Sequence, residues 1–136
     1  MGANASNEAA EKQAPFVLFV DDDAEQREQY RIRLTRRGYR VRVAGSADAA
    51  MEALREERPD VVVLDIAMPE RDGLSALQEL LDADPALHVI IHTAYPSYAD
   101  NFLAWAADDY VEKSQDIRKL LNALEKALGI EPSDKS

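Results

Sequence analysis

The chain has 136 residues, 46% of them apolar, which is enough for one domain with its own core. Its 16 basic and 26 acidic residues leave a net charge of −10, the wrong sign for a nucleic-acid binder and the right one for a site that gathers cations. With no cysteine, disulfides, thiolate metal sites and cysteine nucleophiles are excluded, and no stretch is long and apolar enough to span a bilayer.

Residues 1–15, MGANASNEAAEKQAP, lack the basic start and apolar run of a secretory signal. They read as a flexible tail ending at Pro15, and the expected location is cytoplasmic. PFVLFV is a continuous apolar run, as a strand buried on both faces requires, and it ends in Asp21, Asp22 and Asp23. Residues 24–37 carry a helical pattern that Gly38 stops. YRVRVA alternates with period two and predicts a less buried strand. SADAAMEALREE opens on Ser46, a good N-cap, and Ala47, Ala50, Met51 and Leu54 mark one helical face. DVVVLD is a second apolar strand, ending in Asp65. DGLSALQELLDAD places Leu74, Leu77, Leu80 and Leu81 at helical spacing. HVIIHT is a third apolar strand, ending in Thr93. SYADNFLAWAA predicts a helix capped by Ser97, and DYVEK a short strand ending in Lys113. SQDIRKLLNALEKALG predicts a last helix with a stripe of Ile117, Leu120, Leu121, Leu124 and Leu128, stopped at Gly129. The polar residues 130–136 read as a second tail, which leaves 16–129 as the domain.

Strand and helix alternate throughout, which implies an α/β fold: a parallel sheet with helices on both faces. In such sheets ligands bind outside the carboxyl ends of the strands. There the sequence places Asp21, Asp22, Asp23, Asp65, Thr93 and Lys113. Clustered carboxylates tolerate one another around a divalent cation, and magnesium takes oxygen ligands of this kind. A carboxylate in such a site can attack phosphorus, while a metal, an ammonium and a hydroxyl neutralise the phosphoryl oxygens.

The motifs FVDDD, VVVLDIAMPERDG, VIIHTA and DDYVEK, spread over roughly residues 15–128, resemble the receiver domain of two-component response regulators of the stand-alone type. The resemblance implies a flavodoxin-like five-stranded sheet in the order 2-1-3-4-5. It implies that Asp65 takes a phosphoryl group from a sensor histidine kinase or a histidine phosphotransfer protein, with Mg2+ (or Mn2+) as cofactor. Asp22 would bind the metal directly and Asp21 through water, with Asp65 and the backbone carbonyl of Ala67 as further ligands. Thr93 would bond the phosphoryl group, Lys113 would pair with it, and Tyr110 would change rotamer as Thr93 moves. Pro69 and Gly73 would shape the loop after Asp65. Enzymatic chemistry would be limited to self-phosphorylation and self-dephosphorylation at Asp65. Output would come from association with a downstream protein or a second copy of the chain, with no nucleic-acid or membrane partner.

Two departures from the family pattern stand out. Ser114 follows Lys113 where the family usually has proline, often across a cis bond. A cis bond before a non-proline residue costs ~3 kcal/mol, so a trans bond is expected. The segment from Thr93 to Tyr110 is also slightly short, which predicts a trimmed or displaced fourth helix. Ala67 and Tyr95 would flank the approach of water to the phosphoryl group. Ala67 offers no group to orient a water and Tyr95 offers steric cover, so a long-lived phosphorylated state is expected.

Two rival functions fit parts of the pattern. Asp21 and Asp23 satisfy the Asp-x-Asp motif of haloacid-dehalogenase-like phosphatases, as nucleophile and general acid. Against this, Glu25 stands where that family prefers Thr or Val, and Lys113 follows Asp108 and Asp109 instead of preceding them. A receiver-like binding module that takes no phosphate is the other rival, although degenerate members usually lose the acidic pair, the acceptor or the lysine.

Other residues have plainer readings. Asp23 could be a third metal ligand, but the plainer reading is that it caps or precedes the first helix, where a carboxylate suits the positive dipole end. His92 should point away from Thr93 and pack, and His88 opens the fourth strand. Asp108 and Asp109 read as a solvated loop. Tyr98, Phe102 and Trp105 share one helical face, as core or as a partner anchor. Arg27, Arg31, Arg33, Arg36 and Arg37 form either a solvated face paired with Glu25 and Glu28 or a docking surface for an acidic phosphodonor.

Overall fold

The structure is a computed structural model that describes residues 14–66, 73–94 and 106–130. The three apolar runs, the alternating segment and the short DYVEK segment each form a strand: β1 (Phe16–Val20), β2 (Arg40–Ala44), β3 (Val61–Leu64), β4 (Val89–Thr93) and β5 (Asp109–Glu112). The periodic segments form α1 (Ala24–Arg36), α2 (Ala47–Glu56), α3 (Gly73–Ala83) and α4 (Arg118–Leu128). The helix expected from Ser97 lies, apart from its last residues, outside the described residues, as do Tyr98, Phe102 and Trp105.

The five strands pair in the order β2-β1-β3-β4-β5, all parallel. This is the expected flavodoxin-like order. Strand side chains alternate between the faces, so each strand feeds two cores. Leu18, Val20, Val62, Leu64 and Ile91 pack with Ala50, Leu77 and Leu80 under α2 and α3. Val17, Phe19, Val63 and Ile90 pack with Tyr30, Leu34, Leu120 and Leu124 under α1 and α4. Complete burial of a side chain such as Leu18, Phe19 or Leu124 stabilises the fold by roughly 1.5–3 kcal/mol each. β2 is an edge strand and is the less buried one expected. Val41 and Val43 pack on the core, while Arg42 pairs with Glu56, the last residue of α2, and Arg40 with Glu57 just past it. Such charges also discourage another chain from pairing with that edge.

The caps are those the residue types demand. The Asp23 carboxylate accepts from the Glu25 and Gln26 backbone N–H groups and starts α1. Ser46 accepts from Ala49 N and starts α2. Past α1, Gly38 takes φ +94°, a conformation that side chains disfavour.

Two expectations are corrected. The last helix begins at Arg118, four residues after Ser114. The Ser114 hydroxyl accepts from Asp116 N, and the Asp116 carboxylate accepts from Arg118 N. These short polar side chains hold the backbone in turns that compete with a helix. Asp108 is not merely a solvated loop residue. Its carboxylate accepts from Val89 N at 2.8 Å and lies 3.3 Å from His88 Nδ1, tying the start of β4 to the start of β5, where Asp109 is already in the strand. The bond between Lys113 and Ser114 is trans, as expected, since no cis peptide occurs among the described residues. No helix among the described residues is long and apolar enough to cross a membrane.

Candidate functional site

β1 and β3 are neighbours, with Val20 opposite Leu64, so the residues that follow, Asp21 and Asp65, leave the sheet side by side. Asp65 N donates to Val20 O at 3.0 Å, and Asp21 N donates to Ala44 O at 3.1 Å, so both are still held as strand residues. Thr93 ends β4 on the far side of β3, and Lys113 N donates to its carbonyl at 2.8 Å. The crossovers thus bring all four ends to one rim.

One carboxylate oxygen from each of Asp21, Asp22 and Asp65 lies within 4.8 Å of the other two. Lys113 reaches into this group, its Nζ 2.7 Å from Asp21 Oδ2 and 2.9 Å from Asp65 Oδ2. Asp21, Asp65 and Thr93 are buried, whereas Asp22 faces solvent. Burial pushes the Asp21 carboxyl above its ordinary value, and its hydrogen bonds from Lys113 and Asp23 N recover only part of that cost. Burial works against the Lys113 ammonium as well. There, hydrogen bonds to two carboxylates outweigh it and carry the pKa above the usual lysine value. One ammonium shared between two carboxylates satisfies itself better than it satisfies either of them.

Counting three carboxylates as −3 and Lys113 as +1 leaves −2 at the rim. That deficit matches one divalent cation. The donors are all hard oxygens, and an exposed Asp22 leaves room for the waters that magnesium retains. The residues present therefore fit Mg2+.

Asp21, Asp22, Asp65 and Lys113 come together. In a parallel ladder Ile91 lies opposite Tyr110 and Thr93 opposite Glu112, so Thr93 and the half-buried Tyr110 share one face of the sheet. His92 takes the other face, its ring edge-on to Phe19 and Tyr30 with centroids 6.0 and 5.0 Å away. It is packed, as expected. Burial pushes its pKa down to about 4, so it is neutral at pH 7. Asp23 is occupied at the N-terminus of α1, which removes the general acid that the phosphatase reading needs. Ala67, Pro69 and Tyr95 lie outside the described residues.

Some of what holds the site was not legible as such in the sequence. The arginines of α1 divide in their roles. Arg31 pairs with Glu28 on the surface, a contact of small energetic weight. Arg27 Nη1 donates to the Asp21 carbonyl at 2.9 Å. Arg33 Nη2 donates to Gln115 O at 3.0 Å, and Tyr30 Oη donates to Ser114 O at 3.4 Å. One stripe of α1 thus holds both the acidic loop and the loop after Lys113. The i, i+3 spacing of residues 27, 30 and 33 is the only sequence signal that they act together.

A protein-family model described as response regulator receiver domain matches residues 17–125. The chain is 35% identical over 130 residues to the probable transcriptional regulatory protein TcrX of Mycobacterium tuberculosis, covering 92% of this chain and 56% of that protein. It is 40% identical over 114 residues to the transcriptional regulatory protein ZraR of Escherichia coli, covering 82% of this chain and 26% of that protein. The chain therefore spans only about half, or a quarter, of these relatives. Among solved structures it is similar to response regulator protein TrrA from Thermotoga maritima in complex with Mg2+-BeF, at 32% identity and a TM-score of 0.80 over 84% of this chain and 99% of that one. TrrA in complex with the histidine kinase ThkA matches with a TM-score of 0.79, at 32% identity over 84% of this chain and 98% of that one.

Proposed function

This chain belongs to the response regulator receiver domain family, and from that premise we propose that it is a phospho-accepting signalling switch with Asp65 as its acceptor. The observation that carries the reading is the group of three carboxylates at adjacent strand ends with one ammonium between two of them. The donor would be a phosphohistidine on a histidine kinase or a phosphotransfer protein. An Asp65 carboxylate oxygen forms the new O–P bond as the donor's P–N bond breaks, and the electron pair leaves with the imidazole. Asp21, Asp22 and Asp65 would hold magnesium, which when bound supplies positive charge to the phosphoryl oxygens.

The protein's own groups do the rest. Lys113 already touches Asp65 Oδ2 and passes to a phosphoryl oxygen once that carboxylate carries the phosphoryl group as an acyl phosphate. The Thr93 hydroxyl donates to another phosphoryl oxygen, and Tyr110, on the same face, moves into the space it leaves. The contacts differ between the two states, so phosphorylation shifts their populations. Output follows through a protein partner or a second copy of the chain. The complexes named for TrrA, with Mg2+-BeF and with a histidine kinase, support this reading by kinship.

The test is intact mass after incubation with a small phosphodonor. One phosphoryl group is expected in magnesium, and none in chelator or in Asp65→Asn. Full phosphorylation of Asp65→Asn would refute the assignment.

A further inference from the structure

We propose that Arg27 is a positioning residue for the acidic pair, and that Gly45 is the residue that admits it. The inference rests on the metal-dependent reading above. Every polar atom of Asp21 has a partner. The backbone N–H donates to Ala44 O at 3.1 Å, Oδ1 accepts from Asp23 N at 2.9 Å, and Oδ2 accepts from Lys113 Nζ at 2.7 Å. The remaining atom, the carbonyl oxygen, accepts from Arg27 Nη1 at 2.9 Å. That oxygen lies in the peptide plane shared with Asp22. Holding it sets the direction in which Asp22 leaves β1, and so the separation of the two carboxylates.

The guanidinium reaches this carbonyl over Gly45, the residue after β2. A Cβ at that position would stand 2.8 Å from Arg27 Nη1, closer than a real Cβ approaches, and 3.2 Å from its Cζ, a tight contact. The backbone there is not left-handed, since the positive-φ glycines among the described residues are Gly38 and Gly129. What a side chain there would meet is therefore the arginine tip, and φ makes no demand for glycine. A methyl group at position 45 would displace the flexible arginine tip before it moved any backbone.

Charge and position predict opposite signs. A guanidinium beside a cation site repels a divalent ion, so if charge alone counted, removing it would tighten magnesium binding. As a positioning group it aligns the ligands, and removing it would weaken binding. Solvent screens the charge of a partly exposed guanidinium, whereas a charge-assisted hydrogen bond is short and directional. Positioning should win.

The experiment titrates the full chain with MgCl2 by calorimetry, without phosphodonor, in the parent, Arg27→Met, Gly45→Ala and the double variant. Each single change should weaken magnesium about tenfold, as loss of a partner that orients a ligand does. The double should be no weaker than either single, because the added methyl then fills space the guanidinium no longer occupies. Unchanged or tighter binding in the singles, or losses that multiply in the double, would overturn the proposal. A purely structural arginine would lower the melting temperature of the metal-free protein and leave magnesium affinity unmoved, which also overturns it. Should Arg27→Met not fold, Gly45→Ala against the parent decides alone. Because no phosphoryl transfer is involved, failure of Asp65 to accept phosphate with this magnesium pattern intact would refute the functional reading and leave the positioning role standing.

Discussion

Replacing Lys113 with methionine tests the central geometry, because the ammonium is the shared counter-ion of two carboxylates whose side chains are 1% and 7% exposed, those of Asp21 and Asp65. Methionine keeps the length of the side chain and removes the charge. Leaving buried charges without their partner costs about 3–5 kcal/mol, and the 18% exposure of the Lys113 side chain puts the loss at the lower end of that range, about 3 kcal/mol. In a domain of this size that lowers the melting temperature by about 10 °C. The pH dependence gives a second signature. The Asp21 carboxyl already lies above its ordinary 3.8 because of burial. Its folded state therefore holds the proton more tightly than the unfolded chain, and stability falls as pH rises from 3.8 through the folded value. Without the ammonium the folded value rises further, so this fall becomes larger and extends to higher pH. Magnesium should take over the lost positive charge. The variant should bind it at least tenfold more tightly, and at about 100 times its Kd recover about 2.7 kcal/mol. The assay is urea unfolding followed by circular dichroism, in chelator and in magnesium, from pH 4 to 8. A variant in chelator as stable as the parent to within about 0.5 kcal/mol, with magnesium no more stabilising than in the parent, would refute the shared-ammonium argument.

His92→Phe should flatten the acid limb of the stability curve. The folded histidine titrates at about 4 against an ordinary 6.5, so its neutral form adds stability above pH 6.5 that is lost as pH falls to about 4, about 3 kcal/mol in all. The check is the slope of unfolding free energy against pH; an unchanged slope excludes His92 as its source. Asp23→Ala should cost about 1 kcal/mol, the value of an N-cap, and leave magnesium affinity within about twofold of the parent, whereas Asp22→Ala weakens magnesium about tenfold or more. Calorimetric titration separates the two, and equal losses would contradict the assignment of Asp23 to the helix. With beryllofluoride and magnesium, amide resonances around Tyr110 should shift in the parent and stay in place in Thr93→Ala; identical shifts in both would break the proposed link from Thr93 to Tyr110.

Local pattern determined a large part of this protein. Short apolar runs set in turn-forming neighbours are strands whether or not the partner strand is known. Their alternation with amphipathic segments leaves a parallel sheet as the arrangement that buries both. Once the sheet is parallel, the residues after each run share one rim, which is why Asp21, Asp22, Asp65, Thr93 and Lys113 were legible as a group, and why Asp23 and Ser46 were legible as caps. The tertiary structure decided how those groups divide their bonds. Lys113 lies 92 residues from Asp21 and 48 from Asp65 in the chain, and no spacing rule states that one ammonium serves both. Arg27 reads as a surface charge until the end of β2 is seen to leave it a gap at Gly45. Asp108 is exposed as its sequence suggests, but nothing in that sequence shows that its carboxylate accepts from Val89 N. In each case the partner is set by how neighbouring strands align and by which side chain fills the gap between them, and a short sequence window records only the preference of its own backbone and the face it must bury.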